Sequence, residues 1–170
     1  MPINQIHKEN INCCYYLTMT IYKWYYIFDR FNRWEILSSS LKYFQENREL
    51  KIYGYVFMLN HIHLIVYSEN VANFVRDFKK FTSKEIKKNI IQNEPKVLDL
   101  FLNKTTKEYN FWQETNQPKI IENEKYFLQK LKYIYNNPVR KSYVLRPENW
   151  KWSSANNESE IKCNQLFGKD

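Results

Sequence analysis

The chain has 170 residues, a formal net charge of +8 and an aromatic content of 18%. This length suits one domain with its own hydrophobic core better than two domains. A basic, aromatic-rich surface suits a phosphate backbone and unpaired bases, although charge alone also suits an anionic membrane or an acidic protein. The only two glycines, Gly54 and Gly168, are too few for a Gly-rich phosphate loop. The composition therefore excludes nucleotide-dependent enzymes of the P-loop and Rossmann types.

The cysteines and the apolar runs bear on cellular location. Cys13, Cys14 and Cys163 are an odd number without CxxC spacing, so they indicate neither a disulfide framework nor a cysteine zinc site. They favour a reducing, cytoplasmic location. The polar residues at the start of the chain lack the order of charge and apolar residues that is typical of a signal peptide. No apolar run approaches the length of a membrane span, so we expect no membrane partner.

The first half of the chain has a pattern of alternating strands and helices. The aromatic and β-branched run Tyr15–Tyr26 is typical of a strand. Apolar residues at helical spacing predict a helix over Ile36–Asn47, and two strand-like runs follow at Lys51–Leu59 and His61–Tyr67. A longer helical pattern spans Asn70–Ile91, with aromatic residues along one side and basic residues along another.

The second half of the chain is less regular. Residues 92–118 have no clear pattern, and Lys119–Ile121 is typical of a short edge strand. Asn123 is a suitable N-cap for a helix that runs to Asn136 or Asn137. Pro138 is expected to end that helix because it disfavours helical geometry in the residue before it.

The order of these elements predicts a single α+β domain. We expect an antiparallel central sheet with helices packed on it, a sandwich of the ferredoxin-like kind. We assign residues 1–152 to this domain and residues 153–170, which are mostly polar, to a C-terminal tail.

A candidate metal site lies in the run Asn60-His61-Ile62-His63. Successive side chains of a strand alternate between its faces, so His61 and His63 point the same way. Two imidazoles presented together form half of a metal site. The third histidine of the chain, His7, lies near the N-terminus, so a metal held here needs an oxygen ligand from elsewhere.

The predicted last helix supplies such an oxygen beside a tyrosine. Tyr133 and Asn137 are one turn apart, on a stripe that also carries Tyr126 and Lys130. The amide oxygen of Asn137 completes a set of two histidines and one oxygen that suits Mg²⁺ or Mn²⁺. Tyr135, the obvious alternative as a reactive phenol, lies on a different side of the helix.

The motif NHIHLIV, followed much later by YIYNNPVRKSYV, resembles the single-tyrosine HUH transposases, and among them the REP-associated tyrosine transposase branch of the IS200-like family. The resemblance runs from about residue 13 to residue 154. It implies an HUH-endonuclease fold with the catalytic tyrosine, Tyr133, on a C-terminal helix. It also implies that His61, His63 and Asn137 bind a divalent metal ion.

The activity implied by the resemblance is cleavage and rejoining of single-stranded DNA through a 5′-phosphotyrosine, at hairpin-bearing sequences of the REP type. A phenol is a weak nucleophile near neutral pH because its ordinary pKa is about 10. A divalent ion and Lys130 both favour the phenolate. The covalent link conserves the energy of the phosphodiester, so the reaction needs no ATP. The protein is expected to act as a monomer or a homodimer.

Basic side chains are the expected contacts to single-stranded or hairpin DNA. They lie on the predicted helix Asn70–Ile91, on the predicted last helix and after Pro138: Arg76, Lys79, Lys80, Lys84, Lys87, Lys88, Lys130, Arg140 and Lys141. The alternative for the first six is an ordinary solvated helix face. Two aromatic residues, Trp112 and Tyr126, are candidates for stacking on unpaired bases.

Two other functions stay open from the sequence. One is a DNA-binding or regulatory descendant that no longer cuts, although the retained histidines, tyrosine and asparagine favour cutting. The other is a metal-dependent phosphoesterase that uses water as its nucleophile. A histidine-triad hydrolase requires a histidine where Ile65 stands, and a cupin-like site requires glycines around a glutamate, a context that Glu69 lacks.

Overall fold

The computed structural model describes residues 13–167, so His7 and the last three residues of the predicted tail lie outside the described range. The strands and long helices, in chain order, are β1 (Cys14–Thr20), α1 (Arg33–Asn47), β2 (Lys51–Phe57), β3 (His61–Tyr67), α2 (Val71–Asn93), β4 (Lys119–Ile120) and α3 (Glu124–Arg140). Short 3₁₀ helices occur at Tyr22–Trp24, Pro95–Phe101 and Pro147–Asn149. Within the described range, no helix is both long and apolar enough to cross a membrane.

The strands form one four-stranded antiparallel sheet in the order β2-β3-β1-β4. Helix α1 connects β1 to β2, and α2 connects β3 to β4. This is the βαββαβ arrangement of ferredoxin-like folds, with α3 added after it. The prediction of an α+β, ferredoxin-like fold with an antiparallel central sheet is therefore confirmed.

The sheet carries helices on both faces. One face packs against α1 and α2 in a cluster that includes Leu17 of β1 and Phe78 of α2. The other face packs against α3 in a cluster that includes Ile65 of β3 and Ile134 of α3. Because side chains alternate along a strand, the two histidines of β3 lie on the same face as Ile65. The fold thus directs both histidines toward α3.

Helix α3 approaches β2 closely at Gly54. The pairing of β2 with β3 shifts register between Ile52 and Gly54, which turns the glycine toward the helix. A Cβ atom added to Gly54 would lie 2.5 Å from Cδ1 of Leu131 on α3. Real side chains do not pack at such a distance, so the missing side chain of Gly54 lets α3 lie near the sheet.

The first strand is shorter than predicted. It ends at Thr20, and the chain then enters the turn Tyr22–Trp24. Lys23 has a φ of 52° and Trp24 a φ of 60°, both in the left-handed region. Left-handed backbone cannot continue a strand, so the prediction of a strand through Tyr26 is wrong beyond Thr20.

The last helix is longer than predicted, because it passes through Pro138 and ends at Arg140. Pro138 is buried in the final turn; it has no N–H to donate to the carbonyl of Ile134, and the helix continues for only two residues after it. The N–H of Lys141 donates to the carbonyl of Asn137 over 3.2 Å and closes that turn. The predicted N-cap is confirmed, since Asn123 Oδ1 accepts from the N–H of Tyr126 over 2.9 Å. Asn137 therefore keeps helical geometry.

Residues 153–167, the described part of the segment predicted as a tail, lie along the outer edge of β2. Ser153 forms a bridge with Val56, and the N–H of Ser154 donates to the carbonyl of Tyr55 over 3.0 Å. Ile161 is 3% exposed. The segment covers the edge of the sheet, where unpaired backbone groups otherwise invite association with other chains.

Candidate metal and tyrosine site

His61 stands at the start of β3 in a fixed orientation. Its Nδ1 lies 2.7 Å from Oδ1 of the preceding Asn60. An amide oxygen only accepts hydrogen bonds, so Nδ1 carries the ring proton and Nε2 keeps its lone pair. The ring centroids of His61 and His63 are 4.8 Å apart.

Two hydroxyl groups of β1 and one amide of α3 orient His63. Its Nδ1 lies 2.9 Å from Tyr16 Oη and 2.9 Å from Thr18 Oγ1. On the other side of the ring, Asn137 Nδ2 donates to Nε2 over 3.0 Å. Because Nε2 accepts, Nδ1 carries the proton and donates to the hydroxyl oxygens. Partners of this kind fix the tautomer and orientation of metal-binding histidines.

Both imidazoles are neutral at neutral pH. Burial, followed by the charge of Lys141, lowers the pKa of His61 to about 4. Burial, followed by the charges of His61 and Lys130, lowers the pKa of His63 well below its ordinary value. A histidine must be deprotonated to bind a metal ion, so neither ring has to lose a proton first.

Tyr133 extends from α3 toward the histidines. Its ring centroid is 5.5 Å from that of His63 and 6.4 Å from that of Tyr16. Tyr133 is 39% exposed, so the residue is open to solvent. Two cations lie against the ring: Lys130 Nζ is 5.9 Å and Arg140 Cζ 5.2 Å from the centroid.

Tyr135 has a different environment. It is partly buried against the apolar cluster between α3 and the sheet, and burial raises the pKa of its phenol. Asn137, in contrast, is 5% exposed and contacts His63. The structure thus brings Tyr133 and Asn137 to the histidines and turns Tyr135 away, as the helical spacing predicts.

One cavity of about 430 Å³ joins these groups. The four residues predicted from the motifs, His61, His63, Tyr133 and Asn137, all line it. Its wall also includes residues that the sequence analysis did not indicate, namely Tyr16, Thr18, Trp24, Gln117 and Lys119. Lys119, Lys130 and Lys141 make the cavity positive, which suits a phosphate group. Burial, then the charge of Lys119, lowers the pKa of Lys130.

The donor atoms of the cavity fit a divalent ion. Among residues 13–167, no group of three or more His, Cys, Asp or Glu side chains is placed to hold a metal ion. An ion in this cavity would therefore need a neutral oxygen as its third ligand, and the amide of Asn137 is one such group in the cavity wall. His61 Nε2 carries no proton, so its lone pair can bind an ion. His63 Nε2 accepts from Asn137 Nδ2, and half a turn of that carboxamide would release this lone pair and present the amide oxygen instead. All three ligands are neutral.

The predicted basic residues of α2 lie on the other side of the sheet from the cavity. Helix α2 packs on the face that lacks the histidines. Arg76 Nε pairs with Asp77 Oδ1 at 2.8 Å, and Lys87 Nζ lies 4.5 Å from the ring centroid of Tyr109. The remaining members are exposed to solvent: Lys80, Lys84 and Lys88.

Lys79 differs from its neighbours on α2. Its Nζ donates to the carbonyl of Gln113 over 2.7 Å and lies 3.4 Å from the carbonyl of Glu114. Burial lowers the pKa of Lys79 to about 8. Lys79 therefore ties α2 to the segment before β4. Three of the predicted DNA contacts adjoin Tyr133 instead: Lys130, Arg140 and Lys141.

The exposed aromatic residues are not those predicted. Trp112 is 7% exposed, and its Nε1–H donates to Thr82 Oγ1 over 2.9 Å, so the prediction that it stacks on bases is wrong. Tyr126 lies beside Lys130, whose Nζ is 5.2 Å from its ring centroid. Trp24 and Tyr26 are 55% and 54% exposed. The sequence analysis missed these two residues because it predicted a strand where the structure has the turn that exposes them.

Comparison with known proteins agrees with the two motifs. The family model of the IS200-like transposases matches residues 11–137, and the chain therefore belongs to this family. A solved structure of a REP-associated tyrosine transposase bound to a REP hairpin is similar in fold, with a TM-score of 0.67 and 17% sequence identity. The similarity covers 88% of this chain and 81% of that one. No curated protein matches the chain.

Proposed function

We propose that this protein cleaves single-stranded DNA and rejoins it through a covalent bond to Tyr133. The observation that supports this function most strongly is one basic cavity in which an exposed phenol lies 5.5 Å, between ring centroids, from a neutral and oriented imidazole. The similar REP-associated transposase is bound to a REP hairpin. Hairpin-bearing DNA is therefore the first substrate to test.

His61, His63 and Asn137 would hold a Mg²⁺ or Mn²⁺ ion through two imidazole nitrogens and an amide oxygen. Such an ion supplies positive charge that polarises a phosphodiester. The residues that hydrogen-bond to the histidines fix the ring tautomers. Asn60 holds the Nδ1–H tautomer of His61, and Tyr16 with Thr18 holds that of His63. Both rings thereby keep the nitrogen lone pair that a ligand needs.

The proposed reaction has two steps of opposite direction. First, the phenol oxygen of Tyr133 loses its proton and attacks phosphorus, and the bond from phosphorus to O3′ breaks. The leaving 3′-oxygen takes up a proton, and the 5′ side stays linked to Tyr133 as a phosphotyrosine. In the second step a DNA 3′-hydroxyl attacks the same phosphorus and releases the phenol. One phosphodiester is exchanged for another, so no ATP is consumed.

Two cations of α3 assist the nucleophile. Lys130 and Arg140 both lie against the Tyr133 ring, where their positive charge would attract the phosphate that Tyr133 attacks. Lys119 and Lys141 line the same cavity and attract the phosphate backbone. Tyr133 lies beside the histidines of its own chain, so this site would not need a residue from a second copy. A duplex holds its phosphates in a stiff, paired strand, so we expect single strands and strand–hairpin junctions to be cleaved in preference.

The test is a search for the covalent adduct. The protein is incubated with Mg²⁺ or Mn²⁺ and labelled single-stranded DNA that carries the hairpins flanking its gene. We expect a shifted band that resists denaturation, its complete loss in Tyr133→Phe, and its persistence in the matched control Tyr135→Phe. An adduct that survives Tyr133→Phe contradicts the assignment. Cleavage without any adduct indicates a water-using phosphoesterase, and binding without cleavage indicates a regulatory descendant.

A further inference from the structure

A second cavity, of about 440 Å³, adjoins the tyrosine site. The two cavities share Trp24, His61 and Lys141. The second cavity is also lined by Tyr26 and Tyr143. A nucleotide has a flat, apolar base and a charged phosphate. An aromatic wall beside a cavity that attracts phosphate is the combination expected of a nucleotide-binding site.

Trp24 stands in this wall in an unusual backbone conformation. Its φ of 60° is left-handed, and so is the φ of 52° of the preceding Lys23. Bulky residues rarely adopt this region, and such strain persists where the surrounding structure enforces it, often at ligand sites. The strain here does not bury the indole, which stays 55% exposed. The turn therefore presents the side chain of Trp24 to solvent at a fixed place.

Asn60 enforces this placement. Its Nδ2 donates to the carbonyl of Trp24 over 2.8 Å, while its Oδ1 accepts from His61 Nδ1 over 2.7 Å. One buried side chain thus holds both the turn and the imidazole. The ring centroids of Trp24 and His61 are 6.3 Å apart, with an angle of 67° between the ring planes. The indole is therefore held at a set distance from the proposed metal ligand.

We propose that Trp24 is a stacking platform for one unpaired base of the DNA strand that enters the tyrosine site. This inference rests on the proposed function and adds a base-binding subsite to it. A phosphate near His61 and Tyr133 leaves the neighbouring base within reach of the indole, and Lys141, shared by both cavities, attracts the phosphate between them. An aromatic face accepts any base, so the subsite favours unpaired strands over duplex without reading a sequence.

The test separates base contacts from phosphate contacts. Binding is measured by fluorescence anisotropy on a Tyr133→Phe background, so no chemistry takes place. The two probes are a short labelled oligo(dT) and a labelled abasic strand of the same length. Trp24→Ala should reduce the ratio of oligo(dT) affinity to abasic affinity by roughly 5- to 150-fold, the worth of one stacked base. Trp24→Phe, which keeps an aromatic face, should retain most of the ratio.

Three controls distinguish this role from a structural one. The salt dependence of binding should not change in Trp24→Ala, because the phosphate contacts remain. Tyr43→Ala removes a side chain of similar exposure, 50%, from α1 and should leave the ratio unchanged. Thermal unfolding checks the fold, and Trp24→Leu, which keeps apolar bulk without an aromatic ring, replaces Trp24→Ala if that variant unfolds.

The possible outcomes separate this inference from the proposed function. An unchanged ratio, or an equal loss of affinity for both probes, overturns the stacking role of Trp24. If the ratio is unchanged while wild-type protein forms the Tyr133 adduct, only the stacking inference fails. If the ratio falls while no adduct forms in the wild type, the base subsite stands and the proposed cleavage fails.

Discussion

The two faces of the sheet differ in what they do with polar groups. On the α1 and α2 face, polar side chains serve the fold, as where Trp112 donates to the buried Thr82. On the α3 face, the side chains of β3 change from apolar and buried to polar and more exposed toward the start of the strand. Ile65 is fully buried, His63 is 4% exposed and His61 is only partly buried. The site thus lies where one strand leaves the apolar cluster. Both faces contain apolar packing, but only one end of the α3 face carries the proposed site.

The largest effect should come from removing a proposed metal ligand. Loss of a residue that hydrogen-bonds to a metal ligand typically reduces metal affinity roughly 10- to 100-fold. His61→Ala removes a proposed ligand itself, so it should reduce Mn²⁺ affinity by more than this and abolish adduct formation. The free energy of unfolding should change little, because His61 is only partly buried. Isothermal titration calorimetry measures the affinity, and denaturant unfolding measures the stability.

A variant on the opposite face completes this comparison. Thr82→Val removes the hydrogen bond from Trp112, and valine fills the same space as threonine. The variant should therefore lower stability and leave Mn²⁺ affinity unchanged. If His61→Ala binds Mn²⁺ as well as the wild type, the proposed ligand set is wrong. If Thr82→Val weakens metal binding as much as His61→Ala, the two faces are not independent.

The pH dependence of stability should come in part from the histidines of the α3 face. Folding lowers the pKa of His61 from 6.5 to about 4 and lowers that of His63 as well, chiefly because both rings are buried and also because the cations Lys141 and Lys130 lie near them. The unfolded chain then binds more protons below pH 6.5, so stability is complete above that pH and is lost as pH falls toward 4. The shift of His61 corresponds to at most about 3 kcal/mol.

Denaturant unfolding of the metal-free protein at a series of pH values measures this effect. The double variant His61→Gln, His63→Gln should lose less stability than the wild type between pH 6.5 and pH 4. Carboxyl groups titrate in both proteins and therefore cancel in the difference. Curves that run parallel over this range would show that the histidines are not desolvated as the structure indicates.

Local periodicity explains why part of the site was predictable from the sequence. The period of a strand sets His61 and His63 on one face, and the period of a helix sets Asn137 one turn after Tyr133. Both periods follow from backbone geometry, whatever lies around the element. The alternation of strand and helix patterns likewise led to the ferredoxin-like fold.

The partners of these residues could not be predicted because they depend on contacts between distant parts of the chain. Thr18 reaches His63 because β1 pairs with β3 in a register that sets them opposite each other. The exposure of Trp24 depends on Asn60, which lies far along the chain. Helical spacing also could not tell on which side of the sheet the lysines of α2 lie.

A smaller effect should follow from Gly54→Ala, which pushes the two layers of the α3 face apart. The new Cβ would meet Leu131 Cδ1 at 2.5 Å, so either Leu131 or the helix must move. Overpacking of this kind costs typically about 1–3 kcal/mol of stability. Because Tyr133 is on the same helix, adduct formation should also slow.

The double variant Gly54→Ala, Leu131→Ala tests this explanation. Removing the Leu131 side chain frees the space that the new methyl group needs. The double variant should recover more adduct formation than expected from adding the two single effects. Thermal unfolding and the adduct assay measure both quantities. Additive effects, without such recovery, would mean that close packing at Gly54 does not position Tyr133.

The smallest effect should be on the salt dependence of DNA binding, and it compares the cations of the two faces. Each phosphate contact to a single strand contributes a slope of about 0.7 in the logarithm of affinity against the logarithm of salt concentration. Lys130→Ala with Lys141→Ala removes cations from the cavity itself and should flatten the slope most. Lys80→Ala, Lys84→Ala and Lys87→Ala together should flatten it less.

The reason for the smaller change is the position of α2 behind the sheet. A strand that leaves the cavity must pass around the sheet to reach α2. One such path is the β4 edge, where Lys79 ties α2 to the segment that leads to Gln117 in the cavity wall. Anisotropy titrations at several salt concentrations, on a Tyr133→Phe background, measure both slopes. A slope unchanged by the three α2 substitutions would make that surface an ordinary solvated helix face and confine DNA to the α3 side. A slope changed more by α2 than by Lys130 and Lys141 would instead mean that the strand is held mainly behind the sheet, and that the cavity meets only the phosphate that reacts.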